Sequence, residues 1–486
     1  MSDESPSPGE KTSSAGSSAS SEALEAHTIR EPPSLDPEQR GRVEERMTTL
    51  LEEGDVETLD AEIGALHPAD LAALFESLSP RHWPRLVGGL STAQISDLME
   101  ELPDHLRDDL AALLRPGQIG EAIEEMASDD AADVLADLPE NLARRVIDTL
   151  PDEERTDLET LLQYPEDSAG GLMQTELVSV LESQSVDSAV QEIRAKADTV
   201  GDFHFIHVVD AEGRLVGVLN LRNLILAPPD RPIADLMLWG PMAVTPDVDQ
   251  EDVARTFRRY DLVVLPVVDA EGRLLGRILH DDVMDVLEEE ADEDIFHMAG
   301  TSVQEHELVY TAPPLKVATL RLPWLLATLA GLIVPALLVW RFQVSFPEML
   351  TLIPFIPVIG AMGGNIGAQS STIVVRGFAT GRVDYHNLWK FLSKELMVSL
   401  LMGVACGLAS GLAAVVWHGD LLLSAVVTIS MVAAIVASAL MGVVVPYAFK
   451  LVRVDPAIAA GPLVTTLDDI IAIGIYYLVA LALIAR

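Results

Sequence analysis

The chain contains a single cysteine, Cys406, in 486 residues, and it lies within an apolar segment. One cysteine excludes a disulfide within the chain and gives no indication of a cysteine-based metal site. The sequence also lacks a nucleophile–base set and a nucleotide-hydrolysis motif, so an enzyme is the least favoured class of protein. The first residues lack the apolar core of a signal peptide, and residues 1–36 are expected to form a disordered tail rich in Ser, Pro and Glu.

Positive charge is scarce and unevenly distributed. The formal net charge is −43, and only six of the 32 basic residues are lysine. Residues 311–486 hold ten Lys or Arg and seven Asp or Glu, whereas residues 1–310 hold 22 and 68, a net charge of −46. Such an acidic half excludes binding to the backbone of nucleic acids. Its acidity fits both the binding of metal cations and solubility in a salty cell, and the two explanations are not exclusive.

Residues 37–170 form a series of short segments with apolar residues at helical spacing, separated by prolines. Recurring short amphipathic helices bury their apolar faces on their neighbours, so this region is predicted to be an α-helical, superhelical domain. Asp129 and Asp133 are four residues apart and therefore lie on one helical face. A solvated surface is the more common explanation of such a pair, and a cation site is the alternative.

Residues 171–284 contain an internal repeat. The segment VVDAEGRL occurs at 208–215 and again at 267–274, each time between two β-rich segments and followed by a helix. A glycine stands in each copy where the turn needs a positive φ. The pattern resembles a tandem pair of CBS domains, which implies an α+β sensory module with copies at 171–231 and 232–284.

Members of the CBS family often bind ATP or another adenine nucleotide between the two copies. The family motif has a glycine, a hydroxyl residue two positions later and an aspartate, which binds ribose, five positions later. In the second copy Gly276 is followed by Ile278 and Asp281, so only the aspartate is kept. The first copy keeps neither residue. The resemblance leaves nucleotide binding open and makes Asp281 the candidate ribose ligand.

An acidic segment connects the repeat to the apolar half of the chain. Residues 281–294 contain nine carboxylates in fourteen positions, with an apolar stripe that predicts a helix. Like charges at this spacing destabilise an isolated helix. Divalent cations would offset the repulsion, and Mg²⁺ can bridge carboxylates through its retained waters. The alternative is a solvated acidic linker, and the connecting segment is placed at 285–315.

The C-terminal half, residues 316–486, is predicted to be an all-α transmembrane domain. Its five apolar segments are each near the ~20 residues that cross a bilayer; they lie at about 322–342, 350–374, 396–417, 421–447 and 460–484. The basic clusters all fall before the first segment, between the second and third, and between the fourth and fifth. This charge bias places the N-terminal half in the cytoplasm and the C-terminus outside.

The second segment has an irregular composition. Pro354 and Pro357 precede MGGNIGAQSST, which contains several glycines, an asparagine and three hydroxyl residues. Non-helical backbone at membrane depth is tolerated beside a water-filled cavity, so this composition predicts unwound backbone with carbonyls free to face an ion. The alternative is close packing of a regular helix through small residues.

The fifth segment carries two adjacent carboxylates, Asp468 and Asp469, with no basic residue nearby. Ionisable groups inside a membrane usually line an aqueous path, which indicates a cation route. The alternative is a shallow segment with both carboxylates at the interface. Adjacent residues on a helix point about 100° apart, so only one of the two carboxylates can face a pore axis.

The whole architecture resembles the MgtE-type magnesium channels: a helical N-domain, a CBS pair, an acidic connecting helix and five spans. GGNIG in the second span is similar to the family's GGN motif, and PLVTTLDD in the fifth is similar to its P-L-V-T-T-x-x-D motif. On this resemblance Pro462, Thr465 and Thr466 match, and the pore aspartate is Asp469. The resemblance covers about residues 40–486.

The resemblance implies a homodimer with a pore between the subunits, closed when cytosolic Mg²⁺ binds the acidic domains and a "plug" helix. The implied pore residues are Gly363, Gly364, Asn365, Thr465, Thr466 and Asp469. The implied regulatory metal ligands are Asp129, Asp133, Asp281, Asp282, Asp285, Glu288, Glu289, Asp292, Glu293 and Asp455. The choice of Mg²⁺ depends on the resemblance, because oxygen ligands suit Mg²⁺, Ca²⁺ and Mn²⁺ alike.

The prediction is therefore a homodimeric, Mg²⁺-selective channel of the plasma membrane with no nucleic-acid partner. One alternative is an ion-coupled secondary transporter of Mn²⁺, Co²⁺ or Ca²⁺, although five spans show no inverted repeat. Another is a CBS sensor anchored in the membrane that transports nothing. That alternative leaves the two carboxylates of the fifth segment unexplained.

Overall fold

The computed structural model describes residues 37–53, 56–195, 203–301, 313–383 and 387–484. The predicted tail (1–36) and part of the predicted connecting segment (302–312) lie outside the described residues. The chain divides into two compact units, one of residues up to 102 with 112–114, the other of residues 103–111 and 115–486.

The first unit consists of short helices, as the spacing of apolar residues predicts. They are α1 (Pro37–Glu53), α2 (Val56–Ile63), α3 (Pro68–Ser77), α4 (Trp83–Val87) and α5 (Thr92–Glu101). Phe75 stacks on Trp83 at a centroid distance of 4.7 Å, and the indole Nε1 donates to the Phe75 carbonyl over 2.9 Å. Ser91 caps α5 in a capping box with Gln94. These contacts fix where the helices begin and how they pack.

The second unit begins with more short helices: α6 (Asp104–Leu113), α7 (Pro116–Ile123), α8 (Ser128–Asp137), α9 (Glu140–Ile147) and α10 (Asp152–Leu161). Pro116 occupies the first turn of α7, and Pro139 and Pro151 directly precede α9 and α10. Proline is tolerated there because the first helical N–H groups have no partner within the helix. The prolines therefore set the helix boundaries.

The repeat forms two similar β-α units. The first copy has β1 (Ser179–Leu181), α11 (Val186–Ala195), β2 (Phe205–Val209), β3 (Leu215–Asn220) and α12 (Leu221–Leu226). The second has β4 (Leu238–Trp239), which pairs with β3 of the first copy, then α13 (Gln250–Tyr260), β5 (Val264–Val268) and β6 (Leu274–Leu279). Strands β1-β2-β3-β4 form one sheet, in that order, and β5-β6 form another.

The two repeated turns pair with each other. Gly213 and Gly272 have φ angles of +79° and +82°, as their turns require. The Leu215 amide donates to the Gly272 carbonyl over 2.9 Å, and the Leu274 amide donates to the Gly213 carbonyl over 3.1 Å. The repeated sequence therefore joins the two copies as well as shaping each one, and the predicted α+β pair is confirmed.

The acidic segment forms one helix, α14 (His280–Ala299), which starts directly after β6. It ends at Gly300, whose φ of +76° is the left-handed conformation of a helix C-cap. The two side chains on this helix that are most buried are Val283 and Val286. The predicted helix with an apolar stripe is thus present, with its carboxylates distributed around the stripe.

Within the described ranges 313–383 and 387–484, five helices are long and apolar enough to cross a membrane, which confirms the predicted five-helix domain. They are α15 (Pro314–Ser345), α16 (Ile356–Ala379), α17 (Leu388–His418), α18 (Leu421–Leu451) and, after the short α19 (Pro456–Ala460), α20 (Pro462–Ile484). A 3₁₀ segment (Pro347–Phe355) precedes α16. Tyr476 of α20 donates to the Leu352 carbonyl over 2.9 Å and so ties the last span to this segment.

The prediction of unwound backbone in the second span is wrong. Residues 356–379 form an uninterrupted α-helix through the GGNIG sequence. Its carbonyls are therefore engaged along the helix and do not face an ion. The alternative explanation holds instead: a Cβ at Gly363 would lie 3.0 Å from Oγ of Ser438, so α18 packs directly on the bare backbone of α16.

Candidate cation sites

The two adjacent carboxylates of α20 lie in different surroundings. Asp468 is completely buried between α16 and α18, where Gly367 leaves room for it. Asp469 is partly exposed and contributes to a cavity of about 280 Å³ between α15, α16 and α20. A Cβ at Gly360 would lie 3.3 Å from Oδ1 of Asp469, so this carboxylate lies along the bare face of α16. The chain thus opens one carboxylate to a cavity and encloses the other.

The threonines of the PLVTT sequence occupy the first turn of α20. Oγ1 of Thr466 donates to the Pro462 carbonyl over 2.7 Å, and Oγ1 of Thr465 donates to the Gly461 carbonyl over 3.2 Å. The methyl of Thr466 presses on α15 at Gly331. Thr465 is exposed. Both hydroxyls therefore satisfy backbone carbonyls, and each keeps lone pairs that can accept a hydrogen bond from bound water.

The glycines of the GGN motif position these groups. Gly363 and Gly364 are buried, and a Cβ at Gly364 would lie 3.6 Å from Cγ2 of Thr465. Asn365 is exposed on α16. The structure therefore brings Asp469, Thr465 and the glycine face of α16 together within one chain. It leaves Asn365 on the surface of that chain.

A second acidic site joins α8 to the start of α14. Asp129 is 5% exposed and its Oδ1 has no hydrogen-bond donor among the described residues. Burial raises the pKa of Asp129 well above its usual range, and the nearby charges of Asp130 and Asp282 raise it further. Burial also raises the pKa of Asp282 to about 6, with a contribution from Asp281. Carboxylates crowded in this way favour a proton or a cation.

Asp133 lies one turn further along α8, as its spacing predicted. Burial raises its pKa to about 7, and Asp130 and Glu166 add to the rise. On the same helix Asp137 pairs with Arg107 over 2.5 Å. Arg107 also lowers the pKa of Asp133, but burial and the acidic neighbours of Asp133 outweigh this effect.

The carboxylates of α14 fall into two groups. Asp281, Asp285, Glu288 and Glu289 are exposed. The remainder are partly buried, and Glu290 accepts a hydrogen bond from Nε2 of Gln250 in α13 over 2.8 Å. Burial is the main cause that raises the pKa of Glu290 to about 7 and that of Asp294 to about 6. The inner side of α14 therefore holds desolvated acids against the second CBS copy.

The end of α14 meets the start of the last span. Nδ1 of His297 lies 2.8 Å from Oδ2 of Asp455 and 3.7 Å from Oε1 of Glu293. A Cβ at Gly461 would lie 2.5 Å from the Met298 carbonyl. The acidic helix thus touches the segment that leads into α20, the helix that carries Asp469.

Sequence reasoning did not single out Glu290, Asp294 or His297. Glu290, Glu293 and His297 follow each other at spacings of three and four residues and so lie on one helical face. Together with Asp282 and Val286, at the same spacing, they continue one stripe along α14. Applying the helical period to the charged residues as well as to the apolar ones would have identified this inner face.

A cavity of about 550 Å³ lies beside the first CBS copy, lined by His204, Asn220, Leu221, Arg222, Ile225 and Leu226. It contains a guanidinium, an amide and apolar side chains at the β3–α12 junction. Asp281, the candidate ribose ligand, lies at the corresponding junction of the second copy and does not line this cavity.

Comparisons with known proteins match three regions of the chain. The family described as "Divalent cation transporter" matches residues 356–479, "MgtE intracellular N domain" matches 66–167, and "CBS domain" matches 169–230 and 233–289. The "Magnesium transporter MgtE" of Thermus thermophilus is 38% identical over 434 residues, 88% of this chain and 96% of the relative. That of Bacillus subtilis is 30% identical over 90% of this chain and 97% of the relative.

Among solved structures, the "cytosolic domain of the Mg2+ channel MgtE in complex with ATP" is 38% identical in sequence. The match covers 49% of this chain and 98% of that chain, with a TM-score of 0.48.

Proposed function

The chain belongs to the MgtE family of magnesium transporters, and we propose that it acts as a homodimeric Mg²⁺ channel of the plasma membrane that cytosolic Mg²⁺ closes. The observation that carries the proposal is the different surroundings of two neighbouring carboxylates. Asp469 opens to a cavity along α16, whereas Asp468 is enclosed between helices. A carboxylate exposed at membrane depth without a basic partner marks a cation path.

Pairing of two subunits would place two Asp469 carboxylates along one axis. Mg²⁺ loses its waters reluctantly, so two carboxylates would hold the hydrated ion through those waters. Thr465, with lone pairs free to accept hydrogen bonds, lies one turn closer to α19 on the same helix. These groups would select by charge and by the size of the hydrated ion.

Closure would depend on the inner acids of α14 and α8. Glu290, Asp282 and Asp133 all have raised pKa values because burial disfavours their ionised forms. Dications bound at these acidic places would remove this penalty only while the elements remain packed together. Mg²⁺ would therefore prefer the docked state, in which α14 is packed against α8 and the second CBS copy. A ligand shifts a conformational equilibrium only through such a preference.

Docking of α14 would be transmitted to the pore through the junction of α14 with α19 and α20. The carbonyl of Met298 lies against Gly461, and Gly300 lies against Pro462, the first residue of α20. Movement of α14 would therefore displace the helix that carries Asp469. Interfaces packed this closely switch between discrete arrangements more readily than they deform.

The decisive experiment is Mg²⁺ flux into proteoliposomes containing the purified chain, with Mg²⁺ varied on the side of the acidic domains. Flux that falls steeply as this Mg²⁺ rises, and that is lost in Asp469→Ala, supports a gated pore. Flux that requires a proton or sodium gradient instead would establish a secondary transporter and overturn the channel proposal.

We also propose that the first CBS copy binds an adenine nucleotide at its β3–α12 junction. Arg222 lines this cavity at the start of α12, directly after β3. The apolar side chains of Ile225 and Leu226 also line it and could pack against an adenine base. Titration of the full chain with ATP, comparing wild type with Arg222→Ala and with Asp281→Asn, tests this. Loss of binding only in Asp281→Asn would move the site to the second copy.

A further inference from the structure

A buried arginine lies beside the acidic site that joins α8 to the start of α14. Arg277 stands in β6 and is only 4% exposed. Its Nε has no hydrogen-bond acceptor among the described residues. A guanidinium keeps its charge at physiological pH, and a buried charge is costly unless opposite charges compensate it. Arg277 therefore depends on the charges around it.

Backbone pairing brings Arg277 to a segment that contacts α8. The Gln174 amide donates to the Arg277 carbonyl over 2.7 Å, and the Arg277 amide donates to the Gln174 carbonyl over 2.9 Å. Two residues after Gln174, Oε2 of Glu176 accepts a hydrogen bond from the Ser128 hydroxyl over 2.9 Å. Ser128 is the first residue of α8 and directly precedes Asp129. One short segment thus connects Arg277 to the first carboxylate of α8.

Four carboxylates provide the compensating charge. Burial lowers the pKa of Arg277, and the negative charges of its neighbours oppose this shift; in order of their effect, these are Glu176, Asp129, Asp282 and Asp281. Asp129 belongs to α8, whereas Asp282 and Asp281 lie in the first turn of α14. Arg277 is thus a cation shared by acids of separate elements.

We propose that Arg277 is a built-in counter-charge for the acidic site between α8 and α14, and that it sets the cytosolic Mg²⁺ concentration at which the pore closes. The inference rests on the proposed closure by Mg²⁺ and identifies a residue that limits the affinity for the ion. Without Mg²⁺, the guanidinium offsets the repulsion between Asp129 and Asp282. When Mg²⁺ binds, the same guanidinium repels it, because like charges interact strongly in a partly desolvated site.

The net effect of Arg277 on closure follows from the charges. Asp129 is the α8 carboxylate among its four neighbours, so docking of α8 adds one negative charge beside the guanidinium. A bound Mg²⁺ adds two positive charges. The repulsion therefore outweighs the attraction, and Arg277 raises the Mg²⁺ concentration that docking requires.

A purely structural role of Arg277 leads to a different expectation. Loss of a side chain that only fills space would weaken the packing equally with and without Mg²⁺. Loss of a counter-charge makes the ion-free site more repulsive and the ion-bound site less so. His207 of the first CBS copy, the buried basic side chain beside Arg277, cannot replace the charge, because burial lowers the pKa of His207 to about 4.

Hydrogen exchange of the α8 amides, measured in the full chain in detergent against Mg²⁺ concentration, tests the inference. Arg277→Met removes the charge and keeps an unbranched stem. It should reduce protection in a chelator and lower the Mg²⁺ concentration at half-protection about tenfold, within the usual range of coupling between sites. Arg277→Lys keeps the charge and should retain the wild-type midpoint.

Arg273→Met is the matched control. It removes the same charge from the same hairpin at a side chain that is 57% exposed, so solvent screening should leave the midpoint unchanged. Arg277→Gln, which keeps a polar group, repeats the measurement if Arg277→Met does not fold. An unchanged or higher midpoint in the neutral variants overturns the inference, and so does an equal shift in Arg277→Lys. Wild-type protection that does not respond to Mg²⁺ overturns it as well, since no affinity then remains for Arg277 to limit.

Channel recordings separate this inference from the proposed gating. Arg277→Met channels should close at about tenfold lower cytosolic Mg²⁺ than wild-type channels. If Mg²⁺ closes the wild type but Arg277→Met closes at the same or a higher concentration, the role of Arg277 is refuted and the gating stands. If the exchange midpoint falls in Arg277→Met but Mg²⁺ does not affect opening in either protein, Arg277 limits the affinity as inferred and the gating proposal fails.

Discussion

Gly367 of α16 and Asp468 of α20 interlock so closely that a Cβ on the glycine would overlap Oδ2 of the aspartate. Among the described residues the donor beside Asp468 is the hydroxyl of Ser438, which does not reach full hydrogen-bonding geometry with either carboxylate oxygen. The missing side chain at position 367 thus creates the space that the carboxylate fills. This pair fixes the rotation of α20 and leaves the next residue, Asp469, on the side of the cavity.

The interlock predicts a steric coupling between the two positions. Gly367→Ala should destabilise the protein by about 1–3 kcal/mol, the usual effect of overpacking, because helix backbone cannot move aside easily. Asp468→Ala should restore stability to the Gly367→Ala variant, since it removes the overlapping carboxylate. The measurement is the thermal unfolding midpoint of all four proteins in detergent. Strictly additive effects in this double-mutant cycle would show that the two residues do not share one space.

A second prediction separates the roles of the adjacent carboxylates in transport. Asp469→Asn should reduce Mg²⁺ flux by about tenfold to a thousandfold, because it removes the charge that concentrates cations in the cavity. Asp468→Asn should reduce flux much less, since its side chain keeps the same shape in an enclosed site. The measurement is initial Mg²⁺ uptake into proteoliposomes. Equal losses in the two variants would contradict the assignment of Asp469 alone to the pore.

A third prediction concerns the two sides of α14. Neutralising the inner pair in Glu290→Gln/Glu293→Gln should raise the cytosolic Mg²⁺ needed for half-closure by about tenfold, within the usual range of coupling energies. The matched outer pair, Asp285→Asn/Glu288→Gln, removes the same charge from exposed positions, where screening is strong. It should produce a smaller shift. Single-channel open probability measured against cytosolic Mg²⁺ gives the half-closing concentration of each double variant. Equal shifts would show that only the total charge of α14 matters and not the side on which it lies.

A fourth prediction follows from the pKa of Glu290, which burial raises from 4.5 to about 7. Between pH 4.5 and about pH 7, α14 in the docked state therefore binds more protons than α14 detached from the second CBS copy. Its docking should weaken as the pH rises from about 4.5 to about 7 in the absence of divalent cations. Hydrogen exchange of α14 amides, corrected for intrinsic rates, should show this loss in a chelator. Added Mg²⁺ or the Glu290→Gln change should flatten the profile, and an unchanged profile in Glu290→Gln would exclude this residue as its source.

A fifth prediction tests the orientation of the spans. On a Cys406→Ser background, a cysteine at position 382 should react with membrane-impermeant reagents only from the cytoplasm. A cysteine at position 420, in the turn between α17 and α18, should react only from outside, because the basic clusters lie on the opposite side. Reaction of position 420 from the cytoplasm alone would overturn the proposed orientation.

Some features could be derived from the sequence because they depend on local patterns. The duplicated VVDAEGRL segment predicted two similar units, since an identical turn sequence adopts an identical turn. Apolar length predicted five spans, because a bilayer imposes a minimum length on each. The composition of the second span was misleading. Glycines allow both unwinding and close packing, and only the neighbour at Ser438 decides between them.

What the sequence by itself determined is the order of helical, CBS and membrane segments and the presence of two adjacent carboxylates in the last span. Only the tertiary structure decided which carboxylate is enclosed, because that depends on the glycine that α16 places opposite it. Only the fold brought Asp455 to His297, since no local pattern relates residues 158 positions apart. Periodicity fixes the face of a helix on which a side chain lies, and packing fixes what that face meets.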